Sequence, residues 1–275
     1  VQNAEEVEDQ NYLPYPPPPL PARAPTPNDP PWSLPIAIGV WILSILAILL
    51  APVIFVIPYY ILSGKGVPTD PEKDPMVILL SLIAVVPAHI LTLIVCYPVV
   101  TEGRKFPFFE TLGWRLGNFR WWHFIAIIIG FFGLLAAVST VFPDSDNELL
   151  RILRSSPMAA YFMAALATLF APFIEELVYR GVLYPAVERS AGKVAAILIV
   201  TFLFAGIHFP QYWGSPGSII AITLLSFVLT ATRAVSGNLL PSVILHFVFN
   251  ALQSVSIVYL TMNGGLEAPA NALFR

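Results

Sequence analysis

The stretch Phe173-Ile174-Glu175-Glu176-Leu177-Val178-Tyr179-Arg180 places two carboxylates and a guanidinium directly after the apolar run 158–172. Further along, His208, His246 and Asn250 interrupt apolar sequence in the same way. An ionisable group at membrane depth costs about 3 kcal/mol or more unless it is paired or hydrated, so each is a site hypothesis by default. Adjacent residues on an α-helix point about 100° apart, so the two glutamates cannot serve one centre equally. Glu176 and Arg180 stand at i and i+4 with the acid N-terminal, the favoured order for a helical ion pair, which leaves Glu175 to face a partner helix. A carboxylate base, two imidazoles and an amide are the parts of acid–base hydrolysis with oxyanion stabilisation. Singly, His208 and Asn250 read as interhelical hydrogen-bond partners, as does His89; His123 falls in an aromatic belt. Adhesion alone does not require two carboxylates and an arginine.

These groups need helices that bring them to one depth. Counted from a turn near residues 188–192, Glu175 lies ~18 Å along the incoming helix and His208 ~22 Å along the outgoing one, at ~1.5 Å per residue. From the turn at 233–237, His246 is ~13 Å in and Asn250 ~19 Å in, on the same face. Such a layer is tolerable only around a water-filled cavity.

The composition supplies those helices. Of 275 residues, 57% are apolar and 11% charged, and the mean hydropathy is +0.75, which describes a membrane protein. The fold class is therefore all-α, a polytopic transmembrane bundle. Uncharged runs accommodate seven spans near 35–62, 76–100, 121–142, 157–187, 193–210, 217–233 and 238–262. An eighth is open where Pro52, Pro58, Pro87 or Pro98 kinks or ends a helix, giving seven to eight spans. Residues 1–33 are acidic and then proline-rich, and read as a disordered arm in extended polyproline conformation; the absence of Met at position 1 leaves open a missing initiator or a cleaved leader. Residues 34–110 form N-terminal transmembrane helices, 111–265 a catalytic transmembrane core and 266–275 a short tail. Between the third and fourth spans, Ser145 and Glu148 have capping-box spacing before a short interfacial helix. Trp114, Trp121 and Trp122 beside Arg115 and Arg120 make the aromatic belt.

A net charge of −3 and a pI near 5.8 give no footprint for nucleic acid. The single Cys96 excludes an intrachain disulfide. With seven crossings, Lys and Arg number nine on the N-terminal side against five opposite, which puts the N-terminus in the cytoplasm. Nothing in the chain speaks to oligomeric state.

Glu175-Glu176 with Arg180, Phe204 with His208, and His246 with Asn250 reproduce in order the Glu-Glu-x-x-x-Arg, Phe-x-x-x-His and His-x-x-x-Asn pattern of the type II CAAX prenyl endopeptidases and their bacterial CPBP relatives. The resemblance extends over roughly residues 110–255. It implies an intramembrane endopeptidase in which Glu175, helped by His208, activates water, while His246 and Asn250 stabilise the oxyanion. Glu176 and Arg180 would then support the site. It further implies membrane lipid and a membrane-associated or lipidated peptide as partners and no resident cofactor; the tail and compact size point to a plasma or inner membrane location. The residues also permit a zinc site of Glu175, His208 and His246, although HExxH spacing is absent. A further alternative is a non-catalytic membrane scaffold or bacteriocin immunity protein, for which the complete residue set would be superfluous.

Overall fold

A computed structural model describes residues 24–64, 66, 70, 73–143 and 145–265. Among them no strand occurs, and the elements run α1 (Leu34–Ser63), α2 (Pro75–Val100), α3 (Phe108–Leu112), α4 (Trp121–Val141), α5 (Glu148–Ser155), α6 (Pro157–Leu169) and α7 (Ala171–Glu176). A π-helical turn, Leu177–Leu183, leads into α8 (Tyr184–Ala191), then α9 (Lys193–His208) with a 3₁₀ turn Phe209–Tyr212, α10 (Pro216–Ser236) and α11 (Leu240–Met262). Six helices are long and apolar enough to cross a membrane: α1, α2, α4, α9 with its 3₁₀ turn, α10 and α11. The stretch from α6 to α8 makes a seventh if its two limbs, bent by 42°, count as one span. No eighth emerges among the described residues, because α1 continues through Pro52 and Pro58 and α2 through Pro87 and Pro98.

The span expected as one helix over 157–187 is broken at Phe170. Pro172 has no N–H to return to the carbonyl of Thr168, and this loss ends α6 and starts α7 at a new angle. The short helix α5 also begins later than its sequence suggests. Asn147 is the N-cap and accepts from Leu150 N at 3.0 Å, whereas Ser145 donates to Gly214 O at 2.6 Å and ties two loops together. Asn and Ser cap equally well, so the free one of the pair takes the role. Its apolar face packs on α6 and α11 through Leu149, Leu150 and Leu153.

The largest core cluster centres on the π-helical turn. Leu177, Val178, Tyr179, Val182 and Leu183 pack against Ala37 and Val40 of α1, Cys96 and Val100 of α2, and Val200 and Phe204 of α9. α1 lies along α2, α9 along α10, and α6 along α11. Loops gather at two ends. Leu239 N bonds to Gly113 O at 3.0 Å and Arg189 bonds to Pro30 O at 2.7 Å, joining the N-terminal segment, the 101–120 loop and the two later turns at one end. The 142–147 and 213–217 loops meet at the other.

The proline-rich arm departs from expectation at its C-terminal part; residues 1–23, and the tail at 266–275, lie outside the described residues. From Thr26 the chain folds onto the bundle. Thr26 and Asp29 exchange backbone hydrogen bonds of 3.1 and 3.0 Å, and Trp32 is 3% exposed with its indole N–H on Val182 O at 2.9 Å. Proline density argues for an extended backbone, but here the buried Arg233 and the more exposed Arg189 provide donors for that backbone's carbonyls.

Candidate active site

Side chains of α11 bond to the last turns of α6, beside its break with α7, where helix-end carbonyls want donors. Asn250 Nδ2 donates to Ala167 O at 2.8 Å, Thr168 Oγ1 to Ser254 Oγ at 2.8 Å, and Ser254 Oγ to Ala164 O at 3.0 Å. This seam fixes α11 beside α7 and so sets His246 beside the two glutamates.

Glu176 and Arg180 are both wholly buried and form an ion pair of 2.8 Å. The rest of the guanidinium is satisfied by α10: Nε donates to Thr230 Oγ1 at 3.1 Å, and Nη2 to Ser226 O at 3.0 Å and Ser226 Oγ at 2.9 Å. Its carbon lies 4.5 Å from the Phe204 ring centre, a cation–π contact. His246, 2% exposed, lies between the carboxylates: Nδ1 is 2.9 Å from Glu176 Oε1, and Nε2 is 3.7 Å from Glu175 Oε2. A carboxylate only accepts, so Nδ1 carries the hydrogen and Nε2 is left to face Glu175. The Glu175 side chain keeps 22% of its exposure, against none for Glu176. Glu176 Oε2 is buried with no hydrogen-bond partner, so that oxygen adds nothing to satisfy Arg180 or His246.

His208 is attached to this cluster through Phe204 and forms no ion pair with Glu175. Its Nδ1 lies 2.7 Å from the Phe204 carbonyl, which can only accept, so Nδ1 is the N–H and Nε2 the free lone pair. The Phe204 ring stands 4.7 Å from the His208 ring and 5.9 Å from that of His246. Asn250 spends one amide N–H on Ala167 and has a second. The structure thus brings Glu175, Glu176, Arg180 and His246 into direct contact, with His208 and Asn250 on the adjoining turns of α9 and α11.

Three residues outside the sequence pattern belong to the surroundings of Glu175. Its charge acts on His89, Tyr179 and Tyr212. His89 is 3% exposed and its Nδ1 has no partner, which is a costly arrangement for a purely adhesive histidine. The signal for it was a histidine inside an apolar span; Tyr212 was hidden in a stretch that reads as a turn. His123 accepts from Arg120 N at 2.9 Å and stacks on Trp122, away from this cluster.

Among the described residues no three His, Cys, Asp or Glu side chains stand together so as to hold an ion. His246 has one nitrogen committed to Glu176, and His208 reaches the cluster only through Phe204.

Residues 157–252 match the family described as Rce1-like, type II CAAX prenyl endopeptidase Rce1-like. No curated protein and no solved structure matches the chain. The match takes in Glu175, Glu176, Arg180, His208, His246 and Asn250, and of the α6–α11 seam it includes the Asn250–Ala167 bond but stops short of Ser254. The chain thus combines a stretch, residues 157–252, that is similar to the Rce1-like type II CAAX prenyl endopeptidases with six helices long and apolar enough to cross a membrane, which together fit a multi-pass membrane protein.

Proposed function

We propose that the protein is an intramembrane endopeptidase that hydrolyses a peptide bond of a membrane-associated or lipidated peptide, without a metal ion. The observation that carries this reading is His246, held through Nδ1 by Glu176 and aimed through Nε2 at the partly exposed Glu175. Glu175 is the general base. It takes a proton from a water whose oxygen adds to the scissile carbonyl carbon, and it returns that proton to the amine nitrogen as the C–N bond breaks. His208, with Nε2 free as an acceptor, orients the water. Carrying a hydrogen on both nitrogens, His246 keeps Nδ1–H on Glu176 and turns Nε2–H, with the second amide N–H of Asn250, to the developing oxyanion, a contribution that grows in the water-poor interior of the bundle. Glu176 and Arg180 do not touch substrate; they fix the imidazole. The excess of Lys and Arg at the N-terminal end of the bundle supports a plasma or inner membrane orientation with that end in the cytoplasm.

The test is cleavage of a fluorogenic CAAX-type lipopeptide by the detergent-solubilised protein, with and without a chelator. Loss of the base should lower kcat by about 10²–10⁴-fold in Glu175→Gln, and activity should survive the chelator. Loss with chelator and rescue by zinc would replace this mechanism with a metal-dependent one. A folded wild type that cleaves no lipidated peptide, while Glu175→Gln leaves its cellular peptide profile unchanged, would favour a scaffold.

A further inference from the structure

Arg233 is 1% exposed, and although the charge of Glu188 acts on it, no carboxylate lies within ion-pair distance among the described residues. A buried guanidinium without an anion is tolerable only if neutral acceptors satisfy its donors. Two of those acceptors come from the N-terminal segment: Nη1 donates to Asn28 Oδ1 at 2.8 Å and Nη2 to Pro27 O at 2.6 Å. The third is the backbone of the site itself, since Nε donates to Arg180 O at 3.1 Å. Trp32, from the same segment, donates its indole N–H to Val182 O at 2.9 Å, two residues further along the π-helical turn. Arg189 holds the segment down through Pro30 O and Trp32 O. The fit is close as well as polar: a Cβ on Gly113 would meet Pro27 Cγ at 2.8 Å, and one on Gly237 would meet Asn28 Nδ2 at 3.1 Å.

Residues 27–32 therefore form a strap whose polar contacts converge on two carbonyls of the turn that follows Glu175 and Glu176. A π-helical turn is a sparsely used geometry and is held by its surroundings more than by its own hydrogen bonds. From Arg180 O the connection is short. The Arg180 side chain holds Glu176, Glu176 holds His246 Nδ1, and His246 Nε2 faces Glu175. The strap lies more than 140 residues away in sequence, as the 150-residue separation of Trp32 and Val182 shows, and outside the 157–252 domain. We propose that the strap, through Trp32 and Asn28, and Arg233 with it, are positioning residues for the reaction: they hold the π-helical turn in the register that places His246 against Glu175. The kinetic part of this inference rests on the protease reading above; the structural part does not.

The test uses the full chain carrying Trp32→Phe, which keeps the ring and removes the N–H, and Asn28→Ala, which removes one acceptor from Arg233. Asn28→Asp keeps that acceptor and serves as the conservative control. Kinetics are expressed per folded molecule, with the folded fraction taken from size-exclusion chromatography. We expect kcat to fall about tenfold in Trp32→Phe and Asn28→Ala with KM within about twofold, the signature of lost transition-state alignment. Asn28→Asp should stay within about twofold of wild type. Amide hydrogen exchange, read in parallel, should quicken across 177–184 in the two impaired variants and stay unchanged in α4 and α6. If Trp32→Phe fails to fold, Asn28→Ala decides alone. A kcat per folded molecule equal to wild type, even with a lower Tm, would make the strap a stabilising element only and overturn the inference. A wild type without peptidase activity would sink the protease reading instead, and the exchange data would still decide the strap: unchanged rates at 177–184 overturn it, faster rates support it.

Discussion

Glu175 and Glu176 are neighbours in sequence, yet one side chain keeps 22% of its exposure while the other is sealed and paired with Arg180 and His246. Removing each should therefore have opposite signatures. Glu176→Ala strands a buried guanidinium and should destabilise the fold by about 3–5 kcal/mol, seen as a large fall in the detergent unfolding midpoint. Glu175→Ala leaves no buried charge unpaired and should shift stability by no more than about 0.5 kcal/mol while abolishing cleavage. Equal destabilisation by both would contradict the division of roles. The i,i+4 spacing made the Glu176–Arg180 pair legible in the sequence. His246 between the glutamates was not legible, because which ring nitrogen meets which carboxylate depends on the rotation of α11 against α7. That rotation is set by the seam of Asn250 and Ser254 with α6.

The elements show where periodicity and composition suffice and where they do not. Six of the spans were readable from apolar runs, and the turns at 188–192 and 233–237 from their Gly and Arg. The break at Phe170 was not, since Pro172 resembles prolines that α1 and α2 simply carry within their helices. What differs is the neighbour: Asn250 of α11 offers a donor to the Ala167 carbonyl beside this break. Asn250→Ala should then cost about 1–3 kcal/mol by leaving the Ala167 carbonyl unsatisfied, in addition to its effect on rate, and thermal unfolding would measure it. Close packing at a helix start gives a second expectation. A Cβ at Gly217 would come within 2.9 Å of Phe142 O, so Gly217→Ala should destabilise by about 1–3 kcal/mol. Gly206 has nothing within 4 Å of its Cβ position, and Gly206→Ala should be neutral or gain about 0.4–1 kcal/mol. The reverse order would show that α10 does not enter the bundle against the 142 loop.

At the scale of the whole molecule, alternation of the loops between two ends is consistent with the bent stretch from α6 to α8 crossing completely. Single cysteines would check this, and the native Cys96 thiol is buried, out of reach of a soluble reagent. Asp29→Cys and Arg115→Cys should react with a membrane-impermeant reagent from one face, and Asp146→Cys and Trp213→Cys from the other; Asp29 and Asp146 side chains are 65% and 75% exposed. Labelling of Lys193→Cys from the same face as Asp146→Cys would show that the bent stretch re-enters instead. The loops' charges set the expectation that this labelling tests, but the strap left no sign in the sequence, because Asn28 and its arginine are 205 residues apart and proline-rich composition carries no trace of that partner. The strap also gives the molecule an optical gauge. Of its six tryptophans, Trp121, Trp122 and Trp213 stand 74%, 48% and 78% exposed, whereas Trp32 is sealed at 3% with its indole nitrogen bound. If the strap lifts, one indole passes from protein to solvent, so emission colour and access to a soluble quencher record its seating with no label attached.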